Sequence, residues 1–199
     1  MIRVEDTVLV LLAAGKSSRF GDANKLEQAF LHKPVGLHVV TALEDMPFRE
    51  RLVVTDACSL DFAGHGFTVL HNDDVDRGMA HSVHLGVACA KERGAEAVLI
   101  ALADMPRVTA AHIYRLLDAA DSPDAVVVSS DGADPMPPGV FGKDRFDFLM
   151  TLEGDKGARD LVRAGRHVVT TPAELIDIDT PEDLERLRQL VHAPERLNG

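Results

Sequence analysis

The sequence predicts an α/β fold with a mostly parallel sheet between two layers of helices, on three observations. Short apolar runs of strand length alternate along the chain with segments whose apolar residues recur at helical spacing. The apolar runs are continuous rather than alternating, as in strands buried on both faces of a parallel sheet. The chain has 199 residues, 46% hydrophobic and 27% charged, which suits one globular domain with a sizeable core. With right-handed crossovers, the expected architecture is a single Rossmann-like three-layer αβα domain over residues 1–192, followed by a flexible tail over 193–199.

Thr7 to Ala13 reads as the first buried strand and breaks abruptly at Gly15. Pro34 suits a first helical turn, and Val35, Val39, Ala42 and Met46 follow at helical spacing. Strands are expected over 51–55 and 67–71, then a helix carrying Met79, Val83, Val87 and Ala90 that Gly94 ends. A strand over 97–102, a helix over 109–120 and a strand over 125–128 come next. From Ser129 to Gly142 the pattern lapses into prolines and glycines, and a long loop is expected. Helices over 146–152 and 156–164, a short strand over 168–170 and a helix from Pro181 to Val191 complete the alternation.

Thirty-two Asp and Glu against 21 Lys and Arg give a formal net charge of -11, which repels nucleic acid and anionic membrane surfaces alike. No apolar run approaches the ~18 residues of a membrane span, and Met1 to Asp6 carries no signal segment, so a cytoplasmic protein is expected. Cys58 and Cys89 lack metal-site spacing and suggest no disulfide framework. With one Tyr and no Trp, the chain also lacks platforms for stacking single-stranded bases.

Ligands of open parallel sheets gather at the carboxyl ends of the strands. The first such segment is Leu12-Ala13-Ala14-Gly15-Lys16-Ser17-Ser18-Arg19-Phe20-Gly21, with Lys25 beyond it. A glycine turn lets backbone N–H groups approach phosphate oxygens, and Lys16, Arg19 and Lys25 make it a cationic exception in an acidic chain. Its spacing matches neither the P-loop nor the dinucleotide fingerprint. The second is Leu102 to Pro106, where Asp104 suits either a Mg²⁺ held beside substrate phosphates or a cap on the turn. The third comprises Asn72 and the run Gly78-Met79-Ala80-His81-Ser82, in which Gly78 permits close backbone approach. Asp73, Asp74 and Asp76 read as a solvated turn, and His81 and His84 as a pair without a third ligand. In the fourth, Gly154 to Arg159, an N-cap role explains Asp155 but neither Gly157 nor Arg159. In the fifth, Asp177 and Asp179 alternate along a strand and so share a face, ahead of Thr180 as N-cap and Pro181 at the first helical position.

These segments, in this order, resemble the nucleotidyltransferases that couple a nucleoside triphosphate to a phosphorylated acceptor. The nearest branch is the molybdenum cofactor cytidylyltransferase, or molybdopterin nucleotidyltransferase, family. The resemblance lies in Leu-Ala-Ala-Gly-x-Ser-x-Arg-Phe-Gly followed by Lys-Leu, Gly-Met-x-x-Ser, Leu-Ala-Asp-Met-Pro, Gly-Asp-x-Gly-Ala-Arg and Asp-x-Asp-Thr-Pro-Glu-Asp, and it runs from Val8 to Leu190. It implies that Leu12, Ala13, Ala14, Gly15, Lys16, Ser17, Ser18 and Arg19 wrap the triphosphate, with Lys25, Arg19 and Asp104 catalytic and Lys25 steadying the α-phosphate. Asn72, Gly78, Met79 and Ser82 would lie near ribose and base. Asp104 would bind Mg²⁺, or Mn²⁺, with Asp179 favoured over Asp177 as second ligand. Gly154, Asp155, Gly157, Ala158 and Arg159 would meet the acceptor.

The implied reaction is in-line attack of a molybdopterin-type phosphate on the α-phosphorus of CTP, with pyrophosphate leaving. Guanylyl transfer, another phosphorylated acceptor, and a silent nucleotide-binding module are the alternatives. A molybdoenzyme or chaperone partner for the product is a further implication. Pro137-Pro138-Gly139-Val140-Phe141 stands where members often carry Gly-His-Pro or Gly-Asn-Pro before the Phe, a departure that bears on the acceptor.

Overall fold

A computed structural model describes residues 1–15, 20–21, 23–154 and 159–192. The first strand, β1 (Thr7–Ala13), is buried along its whole length. A two-stranded hairpin, β2 (Ala29–Phe30) and β3 (Lys33–Pro34), leads into α1 (Val35–Leu43). Then β4 (Glu50–Thr55), β5 (Thr68–His71), α2 (Met79–Glu92), β6 (Ala97–Leu102) and α3 (Ala110–Ala119) follow in the predicted alternation. The remainder is β7 (Val126–Ser130), β8 (Pro135–Gly142), α4 (Phe146–Leu149), α5 (Arg159–Ala164), β9 (Arg166–Val169) and α6 (Pro181–His192). The expected start of the helix over 156–164 and the expected tail over 193–199 lie outside the described residues.

Seven strands form one sheet in the order β5-β4-β1-β6-β8-β7-β9, all parallel except β8. Successive side chains of each strand enter opposite layers. Leu9, Leu11, Val53 and Leu99 pack under α1 and α3, while Val8, Val10, Val54 and Val98 pack under α2 and α4. Each buried Leu or Val is worth roughly 1.5–3 kcal/mol, and both faces of the central strands are covered in this way. Among the described residues no helix is long and apolar enough to cross a membrane.

The segment from Ser129 to Gly142 corrects the sequence expectation, because its second half is strand β8 rather than loop. Val140 and Phe141, both buried, lie between Leu99 and Val98 on one side and Val127 and Val126 on the other. Proline is normally excluded from a central strand because it cannot donate to the ladder. Here the ladder with β6 spans only Gly139 to Gly142, so all three prolines fall beyond it; on the β7 side a register shift at Val128/Ser129 passes over Pro137 and Pro138, and Pro135 pairs with Ser130 at the start of the strand.

Helix α2 approaches β1 closely because Gly86 has no side chain. A Cβ there would stand 2.3 Å from Val10 Cγ1. We expect Gly86→Ala to cost about 1–3 kcal/mol in urea unfolding through overpacking, and a change below about 0.3 kcal/mol would show that the helix slides freely.

The end of β7 is tied to α3 by a buried polar chain. Ser129 Oγ donates to Pro138 O at 2.8 Å, so its oxygen is left to accept from His112 Nε2 at 2.7 Å. The imidazole proton then belongs on Nε2, and Nδ1 is buried without a hydrogen-bond partner. Burial pushes the His112 pKa below its ordinary 6.5, although the nearby Glu174 carboxylate pulls it upward. The unfolded chain therefore takes up this proton first as the solution is acidified. The stability His112 carries is complete above about pH 6.5 and is lost as pH falls through the region below it. Urea unfolding between pH 7 and 5.5 should show that decline, flattened in His112→Gln, and equal slopes in the two proteins would exclude it.

Candidate active site

Strand register brings the expected segments together. Ala13 faces Thr55 on β4, and Leu12 faces Leu102 on β6. The ladders continue past the strand ends, with Asn72 N donating to Thr55 O at 2.8 Å and Ala103 N to Leu12 O at 3.0 Å. In the order β5-β4-β1-β6, the chain builds outward on one side of β1 and then crosses to the other, which is the switch point where such sheets open a crevice.

A cleft of about 500 Å³ lies there. Its walls include Leu12, Ala13, Ala14, Gly15, Lys25, Asn72, Gly78, Met79, Ser82, Asp104, Asp177 and Asp179, all singled out from the sequence. They also include Asn24, Leu26, Val75, Asp76 and Leu102, to which the sequence assigns no binding role. Asp76, read from the sequence as part of a solvated acidic turn, lines the cleft instead. Asn24 left a clearer local cue, a cap residue placed directly before a lysine. Lys16, Ser17, Ser18 and Arg19 lie outside the described residues, as do Asp155, Gly157, Ala158 and the Arg159 side chain.

Gly15, at φ 153°, takes the chain off β1 in a conformation that side chains disfavour. The chain returns at Asn24, whose Oδ1 accepts from Leu26 N at 3.0 Å and caps the 3₁₀ turn Lys25–Glu27. Leu26 is buried as an anchor, and Lys25 is aimed into the cleft. Its Nζ lies 2.6 Å from Asp104 Oδ2 and 2.9 Å from Asp179 Oδ1, bridging partners 79 and 154 residues away.

Asp104 leaves β6 at a tight turn, but it does not serve as a cap. Oδ2 faces Lys25, and Oδ1 is buried without a hydrogen-bond partner. Burial pushes the Asp104 pKa up, Lys25 pulls it down, and the charges of Asp177 and Asp179 add to the rise. For Lys25, burial works against the charged form, yet Asp104 and Asp179 together hold the pKa above that of an ordinary lysine. The Lys25 ammonium thus ties together two carboxylates from distant parts of the chain.

The expected strand carrying Asp177 and Asp179 is instead an extended connection outside the sheet. Its alternation still operates. Ile178 is fully buried against Phe30, Val35, Leu184 and Leu187, which leaves both aspartates on the cleft side. Ile178 N donates to Asp104 O at 2.9 Å, so this connection is fastened directly to the end of β6. A reciprocal cap starts α6: Asp183 Oδ2 accepts from Thr180 N at 2.9 Å, and Thr180 Oγ1 accepts from Asp183 N at 3.1 Å.

On the opposite wall, Asn72 is buried and engaged at both ends of its amide, donating to Ser82 Oγ at 2.8 Å and accepting from Asp74 N at 2.9 Å. The pair therefore shapes the wall. Gly78, at φ 76°, turns the chain into α2, while Met79 stays exposed at the rim. Gly154 is not part of the lining but adjoins it, its carbonyl accepting from Ala80 N at 3.1 Å.

The family model described as the MobA-like NTP transferase domain matches residues 9–169. The chain belongs to that family. It is a nucleotidyltransferase, and its fold agrees with those of solved relatives. Among curated proteins, this MobA-like transferase is 35% identical over 198 residues to the purine catabolism protein PucB of Bacillus subtilis, covering 90% of this chain and 95% of PucB. The crystal structure of Rv0371c from Mycobacterium tuberculosis superposes with a TM-score of 0.77 at 26% identity, covering 92% of this chain and 97% of that one. A complex of Rv0371c with manganese gives a TM-score of 0.70 at 22% identity, covering 92% and 98%.

Proposed function

We propose that this MobA-like transferase moves the CMP group of CTP onto the phosphate of a molybdopterin-type acceptor, with release of pyrophosphate in a Mg²⁺-dependent step, residues 1–192 forming the catalytic unit. The observation that carries the reading is the meeting of Lys25 with Asp104 and Asp179 beside the Leu12 to Gly15 turn. Both reactants are anions, so their approach demands cations and fixed dipoles where charge develops, and alignment supplies most of the rest. In this reading the backbone of the Leu12 to Gly15 turn, with Lys16, Ser17, Ser18 and Arg19, wraps the triphosphate. Lys25 steadies the α-phosphate, Asn72, Gly78, Met79 and Ser82 bound the nucleoside, and Gly154, Asp155, Gly157, Ala158 and Arg159 face the acceptor. The choice of CTP rests on the Ala13-Ala14-Gly15 form of the turn.

The donor set suits a hard divalent ion, because a buried carboxylate oxygen of Asp104 without a partner stands beside two further acids. Asp104 and Asp179 would hold the ion, which when bound offsets negative charge on the transferring phosphate. The manganese complex of Rv0371c makes Mn²⁺ a reasonable second ion.

Calorimetric titration with CTP, GTP, ATP and UTP in Mg²⁺ tests the nucleotide, with CTP expected to bind at least about tenfold tighter. Equal affinity for all four would remove the preference for cytidine. Pyrophosphate release on adding molybdopterin to enzyme and CTP tests the acceptor, and its absence would remove that assignment.

A further inference from the structure

The two carboxylates assigned to the divalent ion are bridged by a cation of the protein itself. Oxygens that coordinate Mg²⁺ lie ~2.0–2.1 Å from the ion. Lys25 Nζ lies 2.6 Å from Asp104 Oδ2 and 2.9 Å from Asp179 Oδ1, so those two oxygens cannot close on a metal while the ammonium lies between them. The other Asp104 oxygen is buried, which leaves the ammonium side as the way in.

We propose that Lys25 is the resident counter-ion of this carboxylate pair and keeps free divalent ions out of it, so that ion and nucleotide bind productively only together. The inference rests on the reading of Asp104 and Asp179 as metal ligands. As a triphosphate enters beside Gly15, the ammonium exchanges its carboxylate partners for phosphate oxygens, and the carboxylates become available to the ion. A lysine suits this exchange better than an arginine, since its charge is compact and rides on a flexible four-carbon stem. Two consequences follow physically. The ammonium compensates a carboxylate pair of which Asp104 is mostly buried (15% exposed) and poorly served by solvent. By linkage, nucleotide raises ion affinity by the same factor that the ion raises nucleotide affinity.

Mn²⁺ binding to the intact chain, followed by electron paramagnetic resonance without nucleotide, tests the idea. Wild type should bind free Mn²⁺ weakly, and Lys25→Met at least about tenfold more tightly. Lys33→Met removes a charge outside the cleft lining and should change the affinity less than twofold. The affinity gained in Lys25→Met should vanish in the double variant with Asp104→Asn. Lys25→Gln serves as the second substitution should the Met variant fold poorly, and melting with added MnCl₂ gives an independent readout, with a larger upward shift in the variant than in wild type. Unchanged or weaker Mn²⁺ binding in folded Lys25→Met and Lys25→Gln overturns the proposal. Gained binding that survives Asp104→Asn instead overturns the ligand assignment on which it rests. Tight Mn²⁺ binding to wild type alone overturns the exclusion outright.

Discussion

Asp104→Asn should lower turnover at least about a hundredfold, equivalent to about 2.7 kcal/mol of barrier, while the melting temperature holds or rises. The two halves of this expectation have one cause. Asp104 is a carboxylate that burial and two neighbouring acids disfavour, with one oxygen lacking a hydrogen-bond partner. Asparagine keeps the shape and an oxygen toward Lys25, yet removes the charge. Stability is then relieved of an unfavourable burial, and the site loses the ligand it is proposed to offer the ion. Pyrophosphate-release kinetics beside a thermal melt decide the matter. Turnover within threefold of wild type would end the assigned role. A melting temperature lowered by more than about 4 °C, which is ~1 kcal/mol or more for a chain of this size, would make Asp104 a structural residue.

Lys25→Met has the second large effect, again at least about a hundredfold on turnover, but with stability moving in the opposite direction. The ammonium pairs with both Asp104 and Asp179, so removing it takes away an attraction that the two carboxylates share across a partly buried cleft. The cost is smaller than for a fully buried pair, because Asp179 is 43% exposed and solvent screens it. A fall in melting temperature together with the loss of activity is therefore expected, with weaker nucleotide binding by calorimetry. Wild-type turnover in a folded Lys25→Met protein would exclude a role for the ammonium in transfer.

Much of this site is legible in the chain because it depends on short-range rules. The apolar run from Thr7 to Ala13 marks a buried strand, Gly15 marks where that strand must release the chain, and Thr180 with Pro181 marks a helix start. The alternation of Asp177 and Asp179 also survives, although the segment joins no sheet, because burial of Ile178 imposes it. Asp76 and Val75 are harder to read. They stand in an acidic turn whose composition is that of any solvated loop, and only the position of α2 against β1 makes it a wall. β8 misleads for the opposite reason, since its prolines and glycines are loop residues by local preference, and tertiary packing overrides that preference.

Local pattern was enough to place most helices and strands, apart from β8 and the β2–β3 hairpin, and to mark which residues carry charge suited to phosphate and metal, since periodicity, caps and turns act over a few residues. Long-range packing is what brings Lys25 to Asp104 and Asp179 and runs a proline-rich segment antiparallel between β6 and β7. Those outcomes depend on strand register and on a helix packed from the far end of the chain, where groups 79 and 154 residues apart are brought within hydrogen-bonding distance.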